Sequence, residues 1–188
     1  MLGHVIHRGL AAALATVASA LLASCSSATP GSLSAGDLPS GWGLHQTTKT
    51  SPGLLMQSLA NGPFGCHGSH VVLFAPPGKP FGQVNFQGTP SYPEVASLAS
   101  NCGSVANATH VFDQITLGSL PNPKEVYPAV RGIGDEARLL SATTARQRVD
   151  VVYWRAGGNV GEVAVLGPPG DRRITPALAK ELAERAVN

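Results

Sequence analysis

Three apolar runs near the C-terminus constrain this chain more than any other feature. Residues 137–143, 148–155 and 159–166 are built from Val, Leu, Ala, Tyr and Trp with few breaks, the composition of strands that pack on a core. The gaps between them are short, and the second contains Gly157 and Gly158, which accept positive φ without the steric cost of a Cβ. Connections this short cannot make the crossover that parallel strands require, so the three runs read as antiparallel neighbours. The chain then breaks at Gly167-Pro168-Pro169-Gly170. Residues 175–187 read as a helix, with Thr175 as N-cap and Pro176 at the first helical position. Leu178, Leu182 and Ala186 line one face, while Glu181 and Arg185 stand at i, i+4 on the other.

The first half is less regular. Asp37-Leu38-Pro39-Ser40-Gly41-Trp42 reads as the start of the folded domain, near Gly36, with Trp42 as a packing anchor. Residues 54–61 (LLMQSLAN) read as a short helix closed by Asn61-Gly62-Pro63, with Cys66 in the loop beyond. Residues 70–75 (HVVLFA) and 81–87 (FGQVNFQ) read as strands. Residues 92–102 read as a helix, because Val95, Leu98 and Cys102 recur at helical spacing. Residues 109–117 (THVFDQITL) read as a strand with Val111, Asp113 and Ile115 on one face. The resulting expectation is an α+β domain: a mostly antiparallel sheet, a strand meander in its C-terminal half, and helices on one face including a C-terminal one. There is no internal repeat and no heptad pattern.

The N-terminus has a different character. Arg8 with His4 and His7 precedes an apolar run from Leu10 to Leu22, a secretory leader too short to span a bilayer and remain there. Leu22-Ala23-Ser24-Cys25 resembles a bacterial lipobox, which implies cleavage after Ser24 and a diacylglyceryl thioether on Cys25. On that reading residues 1–24 are a signal peptide, 25–35 are the lipidated cysteine and a Ser-rich flexible tether, and 36–188 are one extracytoplasmic domain. The cysteine count bears on this. There are three cysteines, and an exported chain usually pairs its thiols. If Cys25 carries lipid, Cys66 and Cys102 remain as one candidate disulfide.

Formal charge excludes some partners. Lys and Arg number 13 against 11 Asp and Glu, and the leader contributes only Arg8. A nearly neutral mature chain suggests neither nucleic acid nor a polybasic membrane patch. No dinucleotide fingerprint, phosphate loop, Gly-x-Ser-x-Gly elbow or His-Glu-x-x-His motif occurs, so no cofactor is expected. Cys66 and His67, with Ser69 and His70 nearby, leave open a catalytic thiol. Joined by His45 and His110 they leave open a metal site, although the cluster lacks a second ligand pair. His70, or His110 with Asp113, would serve a small hydrolase. The Arg131–Ala137 stretch (RGIGDEA) reads as a glycine-flexed loop leading into a strand. Asn107-Ala108-Thr109 matches a glycosylation acceptor.

Taken together, the leader with its lipobox, the Asp37–Trp42 segment, and the pattern from Gly132-Ile133-Gly134-Asp135-Glu136-Ala137 through Gly157-Gly158-Asn159 to the final helix resemble actinobacterial, mycobacterial-type envelope lipoproteins. The C-terminal part is similar to envelope sensor-like domains, including the Mog1/PsbP-like α/β/α fold. The anchor, the spacer, one compact domain and the absence of a catalytic constellation lead to the expectation of a lipid-anchored binding or sensor-like module on the outer face of the cytoplasmic membrane, not an enzyme, held there by Cys25 and meeting an envelope protein or lipid. A carrier of an apolar ligand and a small envelope hydrolase are the alternatives.

Overall fold

The computed structural model describes residues 31–40, 42–48, 66–79, 91–118, 125–127 and 130–188. Its frame is an antiparallel seven-stranded sheet. The strands are β1 (Gly43–Thr48), β2 (His67–Ala75), β3 (Glu94–Asn101), β4 (Glu125–Tyr127), β5 (Glu136–Thr143), β6 (Arg148–Ala156) and β7 (Asn159–Gly167), in the spatial order β1-β2-β3-β7-β6-β5-β4. Among the described residues two α-helices accompany them, α1 (Val105–Gly118) and α2 (Pro176–Val187). The α+β class and the C-terminal meander are as expected from the sequence. Arg148–Ala156 folds back on Asn159–Gly167 with Ala156 opposite Asn159, and Gly157 takes φ +55° in the turn.

Two elements are exchanged relative to the sequence reading. Residues 94–101, which read as a helix, form β3, the strand that joins β2 to β7. A strand paired on both sides and packed on both faces needs no polar alternation, and all of β3 except Asn101 is buried. Its Ala and Ser side chains mimic helix composition, and the Val95–Leu98–Cys102 spacing has no helical meaning. Residues 109–117, which read as a strand, lie within α1. There Ala108, Val111, Phe112 and Ile115 are the buried face, an i, i+3, i+4, i+7 stripe. Gly103 at φ +74° turns the chain out of the sheet, and Ser104 Oγ accepts from the Asn107 N–H at 3.1 Å, as an N-cap does.

Helices cover both faces of the sheet, correcting the one-sided expectation and matching the α/β/α layering that the resemblance implied. Alternation along each strand fixes the sides. Val71, Leu98, Val151, Tyr153, Val160 and Leu166 pack with α1. Val72, Val95, Val152, Trp154, Val163 and Val165 pack with α2, Ile133 and Ile174. The C-terminal helix keeps its expected cap: the Leu178 N–H donates to Thr175 Oγ1 at 3.1 Å. Ala179, Leu182, Ala183 and Ala186 are buried, and Arg185 pairs with Glu181.

The folded unit begins earlier than Gly36. Gly31 and Leu33 are buried, the Leu33 N–H donates to Ser97 Oγ at 3.3 Å, and Trp42 packs half-buried on the α2-side core. The expected tether therefore loses residues 31–35 to the domain. The expected elements at 54–61 and 81–87, and Cys25 itself, lie outside the described residues.

A disulfide joins Cys66 to Cys102 across 36 residues. In the chain-entropy model a loop of this size contributes about 3–4 kcal/mol. It stands at the sheet end where the Cys102 N–H donates to the Gly158 carbonyl at 2.8 Å.

Trp154, 1% exposed, is the largest fully buried side chain. A Cβ built on Gly161 would lie 2.1 Å from its Cζ2 and 2.5 Å from the Leu98 carbonyl oxygen. Gly161→Ala is therefore expected to destabilise the domain by about 1–3 kcal/mol or more. Gly170→Ala, where nothing lies within 4 Å, should change little. Chemical denaturation of both variants checks this, and equal midpoints would contradict it.

Candidate functional site

The groups the sequence offers for catalysis do not converge. Cys66 is committed to the disulfide, which removes the thiol reading. His70 lies on β2 with the parity of Val72 and Phe74, the α2 side of the sheet. His110 and Asp113 lie on α1, against the other side. His110 is exposed, and Asp113 Oδ1 accepts from Arg138 Nη2 at 2.9 Å. A seven-stranded sheet thus stands between His70 and the His110–Asp113 pair. His67 is exposed, and His45 falls on β1, whose side chains are not described. Among the described residues no three His, Cys, Asp or Glu side chains are grouped to hold a metal ion.

Charge gathers instead on β5 and on the 131–137 loop. Arg138 on β5 binds both Asp113 and Glu136, each at 2.9 Å, and its guanidinium lies 4.8 Å from the Phe112 ring centroid. This arginine clamps α1 to the sheet through two carboxylates and a ring face. Beside it, the glycine-rich 131–137 loop is held onto the β6–β7 turn. Asp135 Oδ2 accepts from Arg155 Nη1 at 3.0 Å and from the Gly157 N–H at 2.7 Å. The Asp135 N–H donates to the Arg155 carbonyl at 2.8 Å. Gly134 is required here: at φ +54° a Cβ would stand 2.4 Å from that same carbonyl oxygen. Ile133 points inward and is buried. The loop rims an open pocket of about 330 Å³ lined by residues 130–137. It is a surface recess with charged walls, and its geometry is that of a fastened loop.

Two carboxylates are buried in the sheet. Asp150, with no exposed surface, accepts from Ser141 Oγ at 2.5 Å and from Arg148 Nε at 3.0 Å. That is the satisfaction a buried charge requires. Glu162, 3% exposed, is different. It sits on β7 between Leu98 and Tyr153 of the neighbouring strands, on the α1 side. Among the described residues no ion pair reaches it, and burial pushes its carboxyl up to about 7. Sequence reading passes over Glu162 because an isolated acid in a strand reads as a solvent-facing position. Only the pairing of β7 on both edges shows that it has no solvent to face.

Three kinds of comparison bear on kinship. No protein-family model matches the chain, and no curated protein matches it. Among solved structures, the extracellular domain of PknH from Mycobacterium tuberculosis is similar at 10% identity over 77% of each chain, with a TM-score of 0.45. A likeness this loose transfers no residue and no role.

Glu162 makes a pH prediction. The folded chain keeps its proton until about pH 7, whereas the unfolded chain releases it near the ordinary value of 4.5. Unfolding therefore releases a proton between these values, and stability falls as pH rises through that window. The loss is on the order of 3 kcal/mol. Glu162→Gln should remove this fall, so that its stability advantage over the parent grows from pH 4.5 to pH 7.5. Denaturation curves across that range test it, and parallel pH profiles would contradict it.

Proposed function

We propose that this chain is a lipid-anchored cell-envelope protein whose domain acts as a non-catalytic binding or sensor-like module. The observation that carries the anchoring is the Leu22-Ala23-Ser24-Cys25 motif at the end of the apolar leader. The cysteine arithmetic supports it: Cys66 and Cys102 are joined to each other, leaving Cys25 as the one thiol without a partner in the chain. The position of the first packed residue supports it as well. Five residues, Ser26–Pro30, separate Cys25 from Gly31, so the domain would ride within about 20 Å of its anchor at full extension.

A binding role is supported by the distribution of polar groups. The nucleophile and base candidates are split between two faces of the sheet or are already committed to structural bonds. Arg131 and Asp135 are exposed on the short fastened 131–137 loop, the usual location of recognition residues on a rigid scaffold. The ligand would then meet loops and strand ends, since both sheet faces are occupied by core.

Cys25→Ala is the direct test. In a host that lipidates such proteins, the parent should incorporate labelled palmitate and sediment with membranes. The variant should lose the label and shift to the soluble fraction. A variant that stays labelled and membrane-bound would end the lipobox reading.

A further inference from the structure

We infer that the recess at residues 131–134 is a phosphate-binding site, with Arg131 as the residue that holds the anion, and that the phosphate it takes is a phospholipid headgroup of the membrane beside the domain. The recess measures about 330 Å³ and is lined by residues 130–137, at the small end of the range for ligand sites. It is open to solvent, as a site must be for a group presented by a surface. The loop around it is held in shape. Ile133 is buried, the Val130 N–H donates to the Ala137 carbonyl at 3.0 Å, and Asp135 is fastened to the β6–β7 turn. A guanidinium carried on a fixed turn gives up less freedom on binding than one on a mobile segment.

What marks Arg131 is that the acids around it are committed elsewhere. It is exposed, and among the described residues no hydrogen bond or ion pair reaches it. Asp135 accepts from Arg155 and from the Gly157 N–H. Glu136 is held by Arg138 at 2.9 Å. Glu184, whose Oε1 would stand 3.9 Å from a Cβ on Gly132, is paired with Lys180 at 3.3 Å. The charges around the recess sum close to neutral, so the site is one free arginine fork and not a broad cationic field. Next to it in the chain is a free backbone donor. The Gly132 N–H, on a residue at φ +89°, meets no acceptor among the described residues. Phosphate oxygens accept from both kinds of group, and the guanidinium fork offers two parallel bonds.

The occupant follows from where the tether joins the domain. Gly31 lies on Trp154, at the sheet end that carries the β6–β7 turn, and Asp135 ties the recess to that same turn. With Cys25 lipidated as proposed above, the five residues Ser26–Pro30 separate the anchor from Gly31, at most about 20 Å at full extension. The surface within reach of the recess is then lined with headgroup phosphates. A short tether makes the encounter intramolecular, with an effective concentration on the order of millimolar, which suits a site built on a single guanidinium. The source of the phosphate rests on that anchoring, whereas the uncommitted state of Arg131 does not.

The test compares amide spectra of the lipidated protein in nanodiscs of phosphatidylglycerol and of digalactosyldiacylglycerol, a neutral lipid without phosphate. The amides of Arg131, Gly132 and Gly134 should shift in the first relative to the second. Arg131→Gln should abolish the shift and Arg131→Lys should keep part of it. Arg172→Gln, which removes an exposed cation at the other end of the sheet, should leave the shift as in the parent. Anchoring is read separately, from the mass of the lipid on Cys25. Without the anchor, Cys25→Ala protein titrated with monomeric dihexanoylphosphatidylglycerol should shift the same amides. Adding Arg131→Gln should weaken that binding about fivefold, the effect of one cation at an anionic lipid surface. Equal spectra in the two discs, a shift that survives Arg131→Gln, or shifts of equal size at Lys79 and Arg172 would overturn the proposal. So would shifts with free glycerol phosphate and none in the phosphatidylglycerol discs, which would assign the recess to a soluble ligand.

Discussion

Trp154 lies flat across Gly161, and Gly31 lies on Trp154. The indole passes so close to both glycines that a Cβ on either would fall about 2 Å from a ring carbon, a separation real Cβ atoms do not show. This stack joins β6, β7 and the start of the folded chain, and it does so on the α2 side of the sheet. Gly31, the first described residue, is held at the end of the sheet that carries the β6–β7 turn, the Cys66–Cys102 disulfide and the Asp135-fastened loop.

The sheet is covered on both faces, and this has a price in polar groups. Glu94, Asp150 and Glu162 are all buried because central strands leave no solvent-facing side. Asp150 is satisfied by Ser141 and Arg148, while Glu162 responds by holding its proton, the two outcomes open to a buried carboxyl. The cations are likewise committed where acids are at hand: Arg173 pairs with Asp171, Arg155 with Asp135, and Arg138 with Asp113 and Glu136.

What could be read in the sequence follows from how local its cause is. The β5–β6–β7 meander was legible because two short connections and a Gly-Gly turn allow little else. The C-terminal helix was legible because Thr175 and Pro176 mark its start within two residues. β3 and α1 were exchanged because their decisive causes are remote. β3 is a strand only because β2 and β7 flank it, and its Ala-Ser composition alone favours a helix. α1 carried its helical stripe of Ala108, Val111, Phe112 and Ile115 in plain view, but the β-branched and aromatic content of 109–117 suggested the opposite. Its cap, Ser104 after Gly103, was the overlooked signal. The burial of Glu162 could not be read at all, because it depends on β7 being flanked by β3 and β6, a fact of strand order rather than of local sequence.

With the lipid anchor proposed above on Cys25, the domain would meet the membrane by the end bearing Gly31 and Trp154, with the β5–β6 and β7–α2 connections pointing away from it. Amide signals of the lipidated protein in nanodiscs with paramagnetic headgroups test that orientation most directly. Strong broadening is expected at Gly132, Gly157 and Gly158, and little at Lys79, Arg146 and Arg172. Equal broadening at both ends, or stronger broadening at Arg172 than at Gly157, would contradict it.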